Sequence, residues 1–395
     1  MLDNESFMRK CVETYLSLAP NGTKLGKAQT PFTKDHPGTF NKPDCVGEFL
    51  TCPWCKGDFS LDLFKFGDNT PDADCTTKSK EYWRTKFTKV TKPKEKAKRP
   101  KGCGAHTDTS EYETDNSESG SKFMRDDLKP EHERNPGKLA AIAPKILMMI
   151  LYGARAARPD LLRAIGYLAR YLTKWTKVHD SQLHKLVEYI HCSYSFRHFG
   201  YVSQEVSQGE HNPHLFADAA FADDKISSKS TSGAYLTMRN GKGLTEDFTT
   251  DFPITGTSTS QSCVAHSTPE AEIVSLDSAL TKVADNSFSL YDKILQRSES
   301  NTGEVIKMYV HEDNTACIQV CLTGRNPTMK TLMRNFGIYI AYLYDRFQKT
   351  NEYALLPEKS EHMCADIFTK GFTDPTKWLP ACALVSSDLS SVSDE

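Results

Sequence analysis

Apolar residues recur at helical spacing in two stretches of the chain and at strand-like spacing in a third. Near the N-terminus Phe7, Cys11, Tyr15 and Leu18 line one face and the pattern stops at Pro20-Asn-Gly, which predicts one helix followed by extended chain. From Gly137 to Ser195, Leu139, Ile142, Ile146, Met149 and Ile150 share a face, and Leu161, Leu162, Ile165, Leu168 and Leu172 share another; three short helices are predicted. After Ser203-Gln-Glu the texture changes. Short β-like runs (His214–Ala217, Ala234–Met238, Lys307–His311, Tyr353–Leu356) alternate with helix-like ones, the pattern of a mixed α/β domain.

Between the helical stretches, from His36 to Arg134, the periodicity disappears and charge separates into a basic block, Lys78 to Lys101, and an acidic block, Asp108 to Glu133. Such blocks repel themselves and stay solvated, so a mostly disordered linker is expected; a basic binding arm is the alternative use of the first block. The 395 residues leave room for two ordered units. A net charge of −2 gives no global attraction to nucleic acid, so any such role needs a local basic patch. The 12 cysteines are scattered along a long chain, which points to reduced thiols and to a cytoplasmic or nuclear protein rather than a secreted one. The first residues carry no secretory signal, and the longest apolar stretch, Leu139 to Leu151, is too short to span a membrane.

The candidate chemistry lies in the acids. Hydrolysis of a phosphodiester by two Mg²⁺ ions needs three or four carboxylates brought together from separate elements. Asp218 ends the apolar run His214-Leu-Phe-Ala. Glu272 falls in the first turns of a helix expected to start at Thr268 as N-cap with Pro269 at the first helical position, its carboxylate facing the sheet. Asp313 follows the run Lys307-Met-Tyr-Val-His, and Asp366 sits on a helix expected from Ser360 to Phe372.

The segments Phe-Ala-Asp218-Ala, Glu-Ala-Glu272, Glu-Asp313-Asn-Thr-Ala and Ala-Asp366-Ile-Phe-Thr-Lys, in that order, resemble the ribonuclease H domain of copia-type (Ty1/copia) retrotransposon Pol polyproteins. Lys229-Ser-Thr-Ser-Gly233 resembles that family's turn after the first strand, and Arg158-Pro-Asp-Leu-Leu-Arg163 its preceding helical connection; the match runs from about Gly137 to Leu384. The resemblance implies a ribonuclease H-like mixed five-stranded sheet with flanking helices, preceded by a small helical connection region and a disordered linker. It implies an RNA-DNA hybrid ribonuclease, an endonuclease acting on an RNA/DNA hybrid, with no membrane and no small-molecule substrate. It also implies that Asp218 bridges two Mg²⁺ ions, for which Mn²⁺ can substitute, that Glu272 and Asp313 hold one of them, and that Asp366 completes the other. Tyr15-Leu-Ser-Leu-Ala and Gln29-Thr-Pro-Phe look like the tail that follows the polymerase in this family. The expected layout is thus a remnant of that tail at 1–36, the linker at 37–136, the connection region at 137–209 and the ribonuclease H-like domain at 210–395, with the polymerase palm missing.

Several positions depart from the family pattern. Asp218-Ala-Ala-Phe221 stands where many relatives have a second acid and a Trp, and Thr257-Ser-Thr-Ser-Gln261 lacks two lysines that could meet phosphates. Phe336 stands where relatives tend to carry a histidine. His362, four residues before Asp366 and on the same face of the expected helix, is a substitute proton carrier or merely a solvated side chain. Phe221-Ala-Asp-Asp224 imitates the hairpin of a polymerase palm, but turn residues follow it where a strand would be needed. Cys52-Pro-Trp-Cys55 has zinc-ligand spacing, and Cys103 with His106 could complete a tetrahedral Zn²⁺ site; beside the basic block and Trp83 this would make a hybrid-binding arm, while chance spacing explains the same residues equally well. Beside the active nuclease stand two alternatives: a catalytically inactive nucleic-acid-binding remnant of a retrotransposon polyprotein, and an integrase or transposase on the same fold. The last fits poorly because its late acid is a glutamate, whereas here the late acid is Asp366.

Overall fold

The computed structural model describes residues 4–34, 49–51, 58–60, 135–203, 211–224, 226–241, 249–294, 306–326, 329 and 332–388. The chain divides into two units, Met1–Phe40 with Asp126–Glu395, and Asn41–Arg125. In the second unit the described residues are two short antiparallel strands, Phe49–Thr51 and Asp58–Ser60. Cys52, Cys55, Cys103, His106 and both charge blocks lie outside the described residues.

The first unit is built on a five-stranded sheet. Strands β1 (His211–Ala220), β2 (Thr231–Asn240) and β3 (Asp251–Ser260) form an antiparallel meander, and β4 (Met308–Glu312) and β5 (Tyr353–Pro357) add in parallel on the other side of β1, giving the order β3-β2-β1-β4-β5. The four apolar runs each grew into one of these strands. Strand β3 carries no apolar alternation. It lies at the sheet edge, where Pro253 removes no needed ladder donor and polar residues can face water.

Alternation along β1 sends Leu215 and Ala217 to one face and Phe216 and Asp218 to the other. The first face packs on helices α5 (Thr268–Ala279), α7 (Thr315–Thr323) and α9 (Ile340–Gln348), through residues such as Ile273, Leu276, Cys317 and Leu343. The second face is covered by α3 (Leu162–Ala169) and the segment Cys364–Phe368, behind which α1 (Glu5–Leu18), α2 (Ala143–Ala157), α4 (Lys177–Cys192) and the C-terminal α10 (Pro375–Leu384) join the same core. The predicted N-terminal helix and the three predicted connection helices are therefore present, and they share a continuous core with Phe216, Tyr235, Phe368 and Trp378. This is the mixed α/β sheet with flanking helices expected from the sequence. Among the described residues no helix is long and apolar enough to cross a membrane.

The helical layer encloses charge. Arg158, 1% exposed, makes a bidentate pair with Asp160 at 3.0 and 2.9 Å, and its remaining donors reach Ser193 O at 3.0 Å and Ser193 Oγ at 2.8 Å. Tyr189 completes the Asp160 shell from α4 at 3.0 Å. A buried ion pair survives only when its lone pairs and protons are satisfied in this way.

Two local expectations need correction. The N-cap of α5 is Ser267 rather than Thr268: its Oγ accepts from Glu270 N at 3.3 Å, while the Glu270 carboxylate accepts from His266 N at 2.9 Å. The predicted helix from Ser360 to Phe372 is absent. In its place stand two 3₁₀ turns, Ser360–His362 and Cys364–Phe368, separated by Met363 with extended backbone. Met363, Cys364, Ala365, Ile367 and Phe368 are all buried, so this segment dives into the core rather than lying on it with one face. Two glycines admit it. A Cβ on Gly233, the β2 residue opposite Asp218, would stand 2.6 Å from Thr369 Cγ2 and 3.0 Å from Ala365 O, and one on Gly256 of β3 would strike the Phe368 ring.

Candidate metal centre

Three of the four sequence-selected acids meet at the end of the sheet where parallel strands β1 and β4 finish. One carboxylate oxygen of each of Asp218, Glu272 and Asp313 lies within 4.8 Å of the others, with Asp218 and Glu272 buried and Asp313 half-buried. Asp218 arrives on β1, Glu272 on the second turn of α5. Asp313 sits at the pivot where β4 ends and Asn314 caps α7 by accepting from Ala316 N at 3.1 Å and Cys317 N at 3.0 Å. Asp366 stands beside this trio on the 3₁₀ turn. It is bridged to the trio by Lys370, whose Nζ is 2.6 Å from Asp366 Oδ1 and 3.8 Å from Asp218 Oδ1.

The carboxylates are held as well as gathered. The Thr369 hydroxyl donates to Asp218 Oδ2, and Ser360 Oγ donates to Asp313 Oδ2 at 2.7 Å. Ser275 of α5 donates to the Asp218 carbonyl at 2.7 Å, tying the helix that carries Glu272 to the strand that carries Asp218.

Crowding and burial penalise negative charge here. Burial raises Asp218, against the pull of Lys370 and Thr369. Burial, then Asp218 and Glu312, push Glu272 up to about 11. Burial, then Asp218, push Asp366 up to about 7 despite Lys370. Burial opposes the Lys370 ammonium, but Asp218 and Asp366 outweigh it and its pKa rises.

Glu312 was not singled out in the sequence, although it precedes Asp313. It is fully buried on the Glu272 side of β4, and burial raises its pKa well above the usual range. Glu272 Oε2 and Glu312 Oε2 are buried with no hydrogen-bond partner among the described residues. Orphaned carboxylate oxygens with raised pKa, next to three converging acids, are what a divalent cation would satisfy, so the residues present fit a metal.

His362 is not drawn into the cluster. It does not share a helical face with Asp366, because extended Met363 intervenes. Its side chain is 52% exposed and lies 3.8 Å from Glu358 Oε1 and 3.9 Å from Glu361 Oε1. Glu358 is anchored from the sheet by a buried histidine pair, with His311 Nδ1 at 2.9 Å and His214 Nδ1 2.9 Å from His311 Nε2. Burial lowers the pKa of both imidazoles. Phe336 packs against Ala219 and Ala271, immediate neighbours of the site acids.

The polymerase-like Phe221-Ala-Asp-Asp224 is a structural turn. Asp224 accepts from Ile226 N, Ser227 N and Ser227 Oγ and from Tyr171 OH, and Asp223 is an ion-pair partner of Arg163.

The strand order, with three antiparallel strands followed by two parallel ones, Asp218 on the central strand and Asp313 just past its parallel neighbour, decides the fold. It is ribonuclease H-like. No protein-family model matches the chain, and no curated protein does. Among solved structures the chain is similar to LC11-RNase H1, isolated from compost by a metagenomic approach, at 15% identity over 40% of this chain and 92% of that one, with a TM-score of 0.24. That likeness is too distant to add to what strand order and site geometry establish.

Proposed function

We propose that the chain is a ribonuclease H that hydrolyses the RNA strand of RNA/DNA hybrids, and that it derives from the Pol polyprotein of a copia-type retrotransposon. The observation that carries the activity is the convergence of Asp218, Glu272 and Asp313, with Asp366 beside them, from four separate elements. The ordered motifs around these acids support the origin.

Asp218, Glu272 and Asp313 would hold one Mg²⁺, and Asp366 with Asp218 a second, with Mn²⁺ able to substitute. When bound, such ions make the scissile phosphate more electrophilic and lower the pKa of the attacking water. The rest of the work falls to the chain. Thr369 and Ser360 fix the Asp218 and Asp313 carboxylates, so little reorganisation is left for the reaction. Glu312 is a second carboxyl beside Glu272 that burial keeps protonated without a cation, and Lys370 offsets part of the charge of Asp218 and Asp366. His362 sits on the turn that reaches Asp313 through Ser360 and would carry a proton to the leaving oxygen, a task that Phe336 cannot perform.

The test is cleavage of a labelled RNA strand in an RNA/DNA hybrid, with the wild-type chain beside Asp313→Asn. The expected result is cutting that needs Mg²⁺, spares duplex DNA and disappears in the variant. A folded wild-type chain that binds the hybrid and leaves it intact would sink the nuclease and favour an inactive nucleic-acid-binding remnant.

A further inference from the structure

The site carboxylates are braced from outside the nuclease sheet. Arg163 lies on α3 among Leu161, Leu162, Ala164 and Ile165, and its side chain is fully buried. A leucine or methionine there would fill similar space without the cost of desolvating a guanidinium. The charge is spent on two partners. Nη2 donates to Asp223 Oδ2 at 2.5 Å, and Nε donates to the Thr369 carbonyl at 2.8 Å. Asp223 is itself fixed by Thr231 Oγ1 at 2.9 Å and faces Arg170 Nη1 at 3.8 Å. Thr369 is the residue whose hydroxyl donates to Asp218, and it lies between Asp366 and Lys370 on the chain.

We infer that Arg163 is a positioning residue of the metal centre: by gripping the Thr369 peptide it sets the orientation of Asp218 and of the turn that presents Asp366 and Lys370. The helical segment before the sheet is then a working part of the site and more than a connector. This rests on the metal-dependent nuclease proposed above. A pair whose only duty was to dock α3 on the sheet would need the bond to Asp223 alone; the second bond, to the backbone of the site turn, is what a brace requires. Arg158, five residues earlier at the junction after α2, supplies the contrast. Its bonds go to Asp160 and Ser193 and none reaches the site.

The experiment is a calorimetric Mg²⁺ titration of the full chain, with melting curves, for wild type, R163K, T369V, R163K/T369V and R158K. A lysine keeps a positive charge for Asp223, but a single ammonium lacks the planar fork that serves both partners. R163K should bind Mg²⁺ about 10-fold more weakly or worse, the size typical of a lost outer support of a metal ligand. R158K should melt earlier and keep wild-type Mg²⁺ affinity. In the T369V background R163K should cost less than it does alone, because the route through the Thr369 hydroxyl to Asp218 is already gone and only the hold on the turn remains to be lost. On hybrid, R163K should lower kcat and leave KM unchanged. R163M/D223N, which removes both charges together, replaces R163K if the latter does not fold. Unchanged Mg²⁺ affinity in R163K, or a loss that adds in full to that of T369V, overturns the inference. A wild-type chain that binds Mg²⁺ without cutting hybrid overturns the proposed function and leaves Arg163 to be judged on the titration; one that takes up no divalent ion overturns both.

Discussion

Replacing Asp366 by asparagine should stabilise the metal-free protein at pH 8, and Mg²⁺ should take back most of that advantage. Burial and the neighbouring Asp218 raise Asp366 from an ordinary 3.8 to about 7, with the pull of Lys370 already included. At about 1.36 kcal/mol per pH unit, that gap corresponds to roughly 4 kcal/mol between the neutral and ionised forms. Because the folded pKa lies above the unfolded one, the stability contributed by Asp366 is fully present below about pH 4 and is lost as pH rises toward 7. By pH 5 somewhat less than half is gone, and by pH 8 all of it. Asparagine is a neutral isostere that does not titrate, so the stability of Asp366→Asn relative to wild type should rise by about 2–3 kcal/mol between pH 5 and pH 8 in EDTA. For a chain of this size that is on the order of 5 °C in Tm. In Mg²⁺ that advantage should shrink by up to about 2.7 kcal/mol, because an ion that binds only the folded state at about 100 times its Kd stabilises it by that amount, and the variant forfeits much of this. Urea unfolding of both chains at the two pH values, with EDTA and with Mg²⁺, decides the matter. A difference between the chains that does not change with pH in EDTA, or a variant less stable than wild type at pH 8 without metal, refutes the crowded-carboxylate account.

Lys370→Met removes the cation that bridges Asp218 and Asp366, so the metal-free variant should melt earlier than wild type at pH 8 and gain more Tm from Mg²⁺; equal gains in the two chains would count against an internal counter-charge. Gly233→Ala places a methyl 2.6 Å from Thr369 Cγ2 and 3.0 Å from the Ala365 carbonyl. It should cost about 1–3 kcal/mol in urea unfolding and weaken Mg²⁺ binding by displacing the Asp366 turn, whereas a silent variant would mean that the turn is not held by its fit against β2.

How much of this was legible in the sequence depended on whether burial left a periodic trace. Asp218, Glu272 and Asp313 could be found because each follows or opens an apolar element whose period is readable, and the helix N-terminus around Ser267 and Pro269 was missed by only one residue. Strand β3 left no such trace: a Thr/Ser-rich edge strand buries too little to alternate, and its place is fixed by pairing with β2. The Asp366 segment misled in the opposite way. The expected helix puts His362 and Asp366 on one face, but a segment buried on all sides has no face, and only Gly233 and Gly256, distant in sequence, show that the sheet was opened to receive it. The supporting residues Glu312, Thr369 and Lys370 sat inside quoted motifs, yet nothing about their types separates a ligand's support from a surface residue. Arg163 did carry a signal. A charge in the middle of an apolar helical run needs a buried partner, and Arg158 and Arg163 find theirs in Asp160 and Asp223. What the sequence could not supply was the address of the second bond, to Thr369, because it closes across more than two hundred residues. That closure is how a helix well before the sheet comes to govern a carboxylate on β1, and it makes the metal centre a property of the whole unit rather than of the four acids that mark it.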